Sequence, residues 1–421
     1  MSIFNGVVSV NGVAFLMLSV FIIAALGYLL GRITIKGVNL GTAGVFIVAL
    51  LFGALFSQPL SDTLTVAGTG YSSQALKIIE NIGLIFFVTA VGFIAGPNFF
   101  KNLKKNFKSY ILLGIIIILS GGLTCVACYY IGRGGESDPK AFVAMLDGIL
   151  SGALTSTPGF SAAKATVENI YAATPDVSAT YEAAVTVGHG IAYLFGVVGV
   201  VLFVQLVPKF AKADMAAERA KISAVDTGSR KEYKGKLFSI DSLGLAAFAL
   251  AVVVGVLVGS IKIPLSSQGL SGTTFSLTTT GGTLITALIF GHFAHFGPVN
   301  VTPDKRMMEI FRELGLMLFL IGAGIAGGAK FVEYFKPVYF LYGVAMTIVP
   351  MIVGYFFAKY VLKLSLLNNL GSITGGMTST PALGTLINVA GTDEVASAYA
   401  ATYPIALLAV VLVSQFLLVI F

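Results

Sequence analysis

Apolar runs close to twenty residues long recur along the chain, separated by short polar stretches. That spacing predicts helices that cross a bilayer, not the short alternating segments of a membrane barrel. In the first half the runs fall at about 12–31, 40–56, 78–96, 110–131 and 183–207. Between the last two, residues 147–168 read DGILSGALTSTPGFSAAKATVE, apolar at both ends but interrupted by Gly, Thr, Ser and Pro. Pro158 has no amide hydrogen and disfavours a helical conformation at Thr157, so a continuous rod is not expected there.

The second half repeats the order, with runs at about 242–259, 280–296, 311–328, 338–362 and 398–421 and an interrupted segment at 366–389. GVFIVALLFG (44–53) matches GTLITALIFG (282–291), and GLIFFVTAVGFIAG from Gly83 matches GLMLFLIGAGIAGG from Gly315 more loosely. The closest match is SGALTSTP (151–158) against TGGMTSTP (374–381). Several matches in one order indicate an internal duplication.

Composition agrees: 56% of the 421 residues are hydrophobic and 11% charged, against roughly 45–50% apolar in soluble domains. The formal charge of +7 does not indicate nucleic acid, because Lys and Arg sit in loops between apolar runs, where they set orientation. The one long polar stretch, 208–240, carries Lys209, Lys212, Arg219, Lys221, Arg230, Lys231, Lys234 and Lys236 and is expected to be cytoplasmic. If the interrupted segment is a re-entrant hairpin, Lys101, Lys104, Lys105 and Lys108 fall inside too, as do Lys359 and Lys363. Lys262, Lys330 and Lys336 are the exceptions, placed outside. Five crossings per half is odd, so the halves must be inverted, with the hairpins entering from opposite faces and both termini periplasmic. The first run has no basic residue before it and no small-residue cleavage site, and is read as a retained span. The 49 glycines suit close helix packing.

The expected fold class is an all-α polytopic membrane protein of two inverted five-helix repeats, about ten transmembrane helices plus two broken hairpins, working as an elevator. The first repeat spans 1–207 with its hairpin at about 145–170, the basic linker 208–240, and the second repeat 241–421 with its hairpin at about 366–390.

Unwound backbone at membrane depth is tolerated only when buried in protein or lining an aqueous cavity, so the broken segments are the site candidates. With Thr157 and Thr380 as N-caps and Pro158 and Pro381 at the first helical position, each tip would present a helix N-terminus to an anion. Thr155, Ser156, Thr378 and Ser379 add hydroxyls for substrate or a cation. The plain alternative is that Thr and Pro merely kink two packed helices. Lys164, about two turns beyond the first tip, is placed to offset an acidic substrate or pair with Glu168, or else to snorkel to the surface. Asp147 is read as an interfacial acid, with proton or cation binding as the alternative. His189 reads as a packed histidine rather than a relay, and His292 with His295 as a helix-end pair rather than a metal site. Cys125 and Cys128 (CVAC) have zinc-like spacing but no second ligand pair and read as core residues. Tyr403 and Pro404 in ATYPIA are expected to break or kink the last span opposite the second hairpin, with Tyr403 lining the cavity. No nucleotide-binding, zinc-protease or nucleophile-elbow motif occurs, so neither an enzyme nor an ATP-driven pump is indicated, and no cofactor or resident metal is expected.

GLIFFVTAVGFIAGPNFF, SGALTSTPGFSAA, SITGGMTSTPAL and AYAATYP together resemble the membrane region of the bacterial aspartate–alanine exchanger family, over nearly the whole chain. The resemblance implies a bacterial inner-membrane secondary transporter, dimeric, that exchanges small carboxylates or amino acids. It carries over the hairpin tips Thr155, Ser156, Thr157 and Pro158, and Thr378, Ser379, Thr380 and Pro381; Gly152 and Gly375 just before them complete the set of candidate site residues. Many members hold paired cytoplasmic regulatory domains between the halves, where this chain has only its linker. The expected partners are a small anionic or zwitterionic solute, lipid, a second copy of the chain and a coupling cation. An ion-coupled dicarboxylate or glutamate symporter is the alternative, and an anion channel the third reading.

Overall fold

The computed structural model describes all residues except 1, 4–7, 36–37, 40, 67–68, 106, 223–236, 265–273 and 393. Side chains of Thr380, Pro381, Lys101, Lys104, Lys105 and Lys108 lie outside the description, as do Arg230, Lys231, Lys234 and Lys236.

The helices in chain order are α1 (Gly12–Gly31), α2 (Ala43–Thr63), α3 (Ser72–Lys105), α4 (Leu112–Gly132), α5 (Pro139–Ala153), α6 (Thr157–Ile170), α7 (Pro175–Phe210) and α8 (Met215–Ala220), followed by α9 (Leu245–Gly259), α10 (Thr278–Phe293), α11 (Lys305–Tyr334), α12 (Pro337–Phe356), α13 (Leu366–Gly376), α14 (Thr380–Ala390) and α15 (Val395–Ile420). The strands are two-residue antiparallel ladders at loops. Among the described residues eight helices are long and apolar enough to cross a membrane. Of the ten expected crossings α9 and α10 fall short, at 15 and 16 residues, or about 23 Å each against a hydrocarbon core of roughly 30 Å. The last span is not broken: α15 continues through Pro404.

The chain forms two compact units that cut across the sequence repeat: residues 1–87 with 312–335, and residues 88–311 with 336–421. In the first unit Leu16, Val20 and Ile23 of α1 pack with Val45 and Ala49 of α2 and Ile321 and Ile325 of α11. Gly53 lies directly against Ile325, and Gly328 against Leu50 and Gly53, so no side chain fits between α2 and α11. In the second unit α10 packs on α3 through Gly291 and Gly96. These two contacts correspond under the repeat, since Gly53 aligns with Gly291 and Gly328 with Gly96.

The rest of the second unit surrounds the two broken segments. The hairpin α5–α6 lies against α7 and α12, and the hairpin α13–α14 against α15, with α13 also on α4. Again the contacts correspond: Gly148 and Gly152 meet Val185 and His189 of α7, and Gly371 and Gly375 meet Val395 and Tyr399 of α15. The base of the first hairpin sits at the start of α7, where Tyr181 donates to Asp138. The base of the second packs on Val204, toward the end of α7. Since α7 has 36 residues, or about 54 Å, the hairpins approach each other from its opposite ends.

Candidate functional site

Each hairpin turns on a helix C-terminus of the same construction. Thr155 and Thr378 take the left-handed conformation (φ 52° and 51°), which a β-branched residue adopts only at a cost of about 1–2 kcal/mol. Thr155 N–H donates to Gly152 O and Ser156 N–H to Ser151 O; in the second hairpin Thr378 N–H donates to Gly375 O and Ser379 N–H to Thr374 O. Both are Schellman closures, which satisfy terminal carbonyls that would otherwise be unpaired. The next helix then starts at once. Its N-cap is Ser156 in α6, whose Oγ accepts from Gly159 N–H at 3.2 Å, and Ser379 in α14. This corrects the expectation that Thr157 and Thr380 cap. They are the first helical residues, because serine one position earlier already holds the extended conformation a cap requires.

The tips meet. Thr155 Oγ1 donates to Met377 O at 2.9 Å, and Thr378 Oγ1 donates to Leu154 O at 3.0 Å. Two residues that correspond under the repeat thus make the same bond in opposite directions. The left-handed turn is what aims each hydroxyl at the opposing tip. Thr155, Ser156, Thr157, Thr378 and Ser379 are all buried, and so is Pro158. The threonine hydroxyls expected to serve a solute therefore close the tips on one another, while the N-termini of α6 and α14 start beside that junction. Gly152 and Gly375 lie behind the tips and let α7 and α15 approach.

Lys164 does not snorkel to the surface. It is buried, with Nζ 3.9 Å from Glu182 Oε2 of α7. Tyr403 stacks on Tyr399, with ring centroids 5.0 Å apart. His189 ties the first hairpin to α7: its Nδ1 lies 2.9 Å from Ser151 Oγ and its ring stacks on Phe160 at 4.1 Å. Cys125 and Cys128 are buried free thiols of α4. His295 lies beside Gly297 O, and among the described residues no group of three potential ligands gathers for a metal.

Asp147 is where the expectation fails most clearly. It does not sit at an interface but is fully buried in α5, and neither carboxyl oxygen has a hydrogen-bond partner. An arm that begins at about 145 would set it near the hairpin's start; the helix begins instead at Pro139, capped by Asp138.

The linker contributes a contact not anticipated. Glu218 of α8 accepts from Leu366 N–H at the start of α13, and Arg219 donates to Ala390 O at the end of α14 at 2.8 Å. Each charge has the sign that suits the helix end it touches. Beside α8 a cavity of about 440 Å³ is lined by Lys212, Lys221, Lys359 and Asn369, among others.

Sequence comparison adds what geometry does not. The family described as Predicted Permease Membrane Region (Asp-Al_Ex) matches residues 19–209 and 247–419. An uncharacterized transporter of Bacteroides fragilis is 26% identical, covering 94% of this chain and 97% of that protein. One from Bacteroides thetaiotaomicron is 25% identical with the same coverage. One from Geobacter sulfurreducens is 31% identical over 51% of this chain and 35% of its own length.

Proposed function

The chain belongs to this predicted-permease family and is a multi-pass membrane protein, and from that premise we propose that it is a secondary active transporter exchanging small carboxylates or amino acids by alternating access. The observation that carries the reading is the reciprocal pair of hydrogen bonds between two broken-helix tips. A packed kink has no need of two opposed breaks meeting at one point. Discontinuous helices whose N-termini converge suit an anionic solute, since amide dipoles and free donors face it without a buried countercharge. Lys164 supplies a further positive charge on the first hairpin.

In this reading the repeats are inverted, the hairpins are re-entrant from opposite faces, and the solute site opens when the tips part. Both tips belong to one compact unit, which favours an elevator movement of that unit carrying the site. The remainder of the assignment is a bacterial inner-membrane homodimer with periplasmic termini and no enzymatic activity.

Counterflow in proteoliposomes tests it. Radiolabelled aspartate, alanine and small dicarboxylates are expected to enter only when vesicles contain an internal carboxylate, and acids should raise the melting point of the purified chain more than neutral solutes do. Uptake into empty vesicles that follows an ion gradient would replace exchange with symport. Unsaturable conductance would make it a channel.

A further inference from the structure

The fold does not need an acid at position 147. Aligned through SGALTSTP and TGGMTSTP, Asp147 corresponds to Leu370, which is fully buried in the second hairpin. The two sites share their surroundings, for the following residues, Gly148 and Gly371, make equivalent contacts with Val185 and Val395. A leucine therefore satisfies the same packing, and an acid there costs free energy unless its charge is removed or balanced.

The neighbours do not balance it. From α15, Ser414 Oγ faces the carboxyl without closing a hydrogen bond to it. From α4, Cys125 lies near enough to interact with it, with Cys128 three residues on. On α6 and α7, Lys164 is turned to Glu182 and His189 to Ser151; α6 also carries Glu168. On α12, Tyr339 donates to Glu136, and Tyr342 packs on Phe142 and Tyr339. Among the described residues no Lys, Arg or His makes an ion pair or hydrogen bond with Asp147. Nor does Asp147 belong to any group of three His, Cys, Asp or Glu side chains able to hold a metal ion among the described residues.

We propose that Asp147 is a proton-carrying site that couples solute movement to protons. In the closed arrangement it holds a neutral carboxyl group. When its surroundings hydrate on one face, the O–H bond breaks and the proton passes to water as hydronium. On the other face hydronium returns a proton to an Oδ atom, leaving water. Asp147 lies eight residues before Thr155 on the first hairpin, or about 12 Å along the helix, so it moves with the tip without touching the solute. The proposal deepens the transporter reading and rests on it only for the coupling, not for the bound proton.

Two measurements on the full-length chain in lipid separate these parts. Infrared spectroscopy at neutral pH is expected to show a carboxylic-acid carbonyl band that disappears in Asp147→Asn and returns, shifted, in Asp147→Glu. Identical spectra for wild type and Asp147→Asn would overturn the proposal, as would a band abolished by sodium at constant pH, which would mark a metal-cation site. In vesicles holding an internal carboxylate and a pH-sensitive dye, an aspartate gradient is expected to move protons through wild type, with the proton-to-aspartate ratio falling at least tenfold in Asp147→Asn. An unchanged ratio would refute coupling through this residue. If wild type moves no aspartate, the substrate assignment fails while the infrared band still decides the bound proton.

Discussion

Replacing Thr155 and Thr378 together by valine removes the two hydroxyls that join the tips and little else. Valine keeps the branched Cβ, so the left-handed strain at both positions is retained and cancels between variant and parent. The lost bonds, 2.9 and 3.0 Å long and buried, contribute about 1 kcal/mol each, more if the carbonyls of Met377 and Leu154 stay dry without a donor. Together that is ~2 kcal/mol, or roughly a thirtyfold shift toward parted tips. Hydrogen–deuterium exchange at the amides of Thr155, Ser156, Thr378 and Ser379 reads this directly, because parting exposes the Schellman turns to water. Exchange is expected to quicken by about that factor in the double variant, and each single variant should show part of it, with non-additivity because both bonds close one junction. Thr155→Ser retains the donor and should leave exchange near the parent rate. Valine at both positions with tip exchange unchanged would show that the hydroxyls do not hold the tips, and the site would have to be sought elsewhere.

Lys164→Met removes the buried cation facing Glu182 and should lower the melting point, by the equivalent of roughly 3 kcal/mol; adding Glu182→Gln should recover much of the loss, and a further drop would refute the pairing. A methyl group at Gly375 would meet Tyr399 O at 2.7 Å, so Gly375→Ala should cost about 1–3 kcal/mol in thermal unfolding as α13 and α15 are forced apart. Arg219→Ala combined with Glu218→Gln should raise amide exchange at the start of α13 and the end of α14 by on the order of tenfold, as charge-assisted bonds to both helix ends are lost; equal exchange would mean that α8 only rests on the hairpin.

Much of this architecture was legible in the sequence because it rests on local chemistry. Apolar runs of membrane-spanning length, a proline that brings no amide hydrogen to a continuing helix, and a polar tip repeated in order are properties of short segments. They located the eight helices of spanning length and the breaks between α5 and α6 and between α13 and α14. Local chemistry also misled by one position at the caps, where serine and threonine compete on nearly equal terms. It misjudged Asp147 too, since burial depends on where the helix starts and on what packs around it.

Through-space pairings were decided only by the tertiary structure. Nothing in TSTP says that Thr155 will donate to a carbonyl 222 residues away, that Lys164 will face Glu182 of α7, or that a linker helix will grip both ends of the second hairpin. Hydrophobicity fixes which segments leave water, but hydrogen bonds and ion pairs go to whichever partner the packing brings within about 3–4 Å. That choice belongs to the assembled helices and is invisible along any one of them.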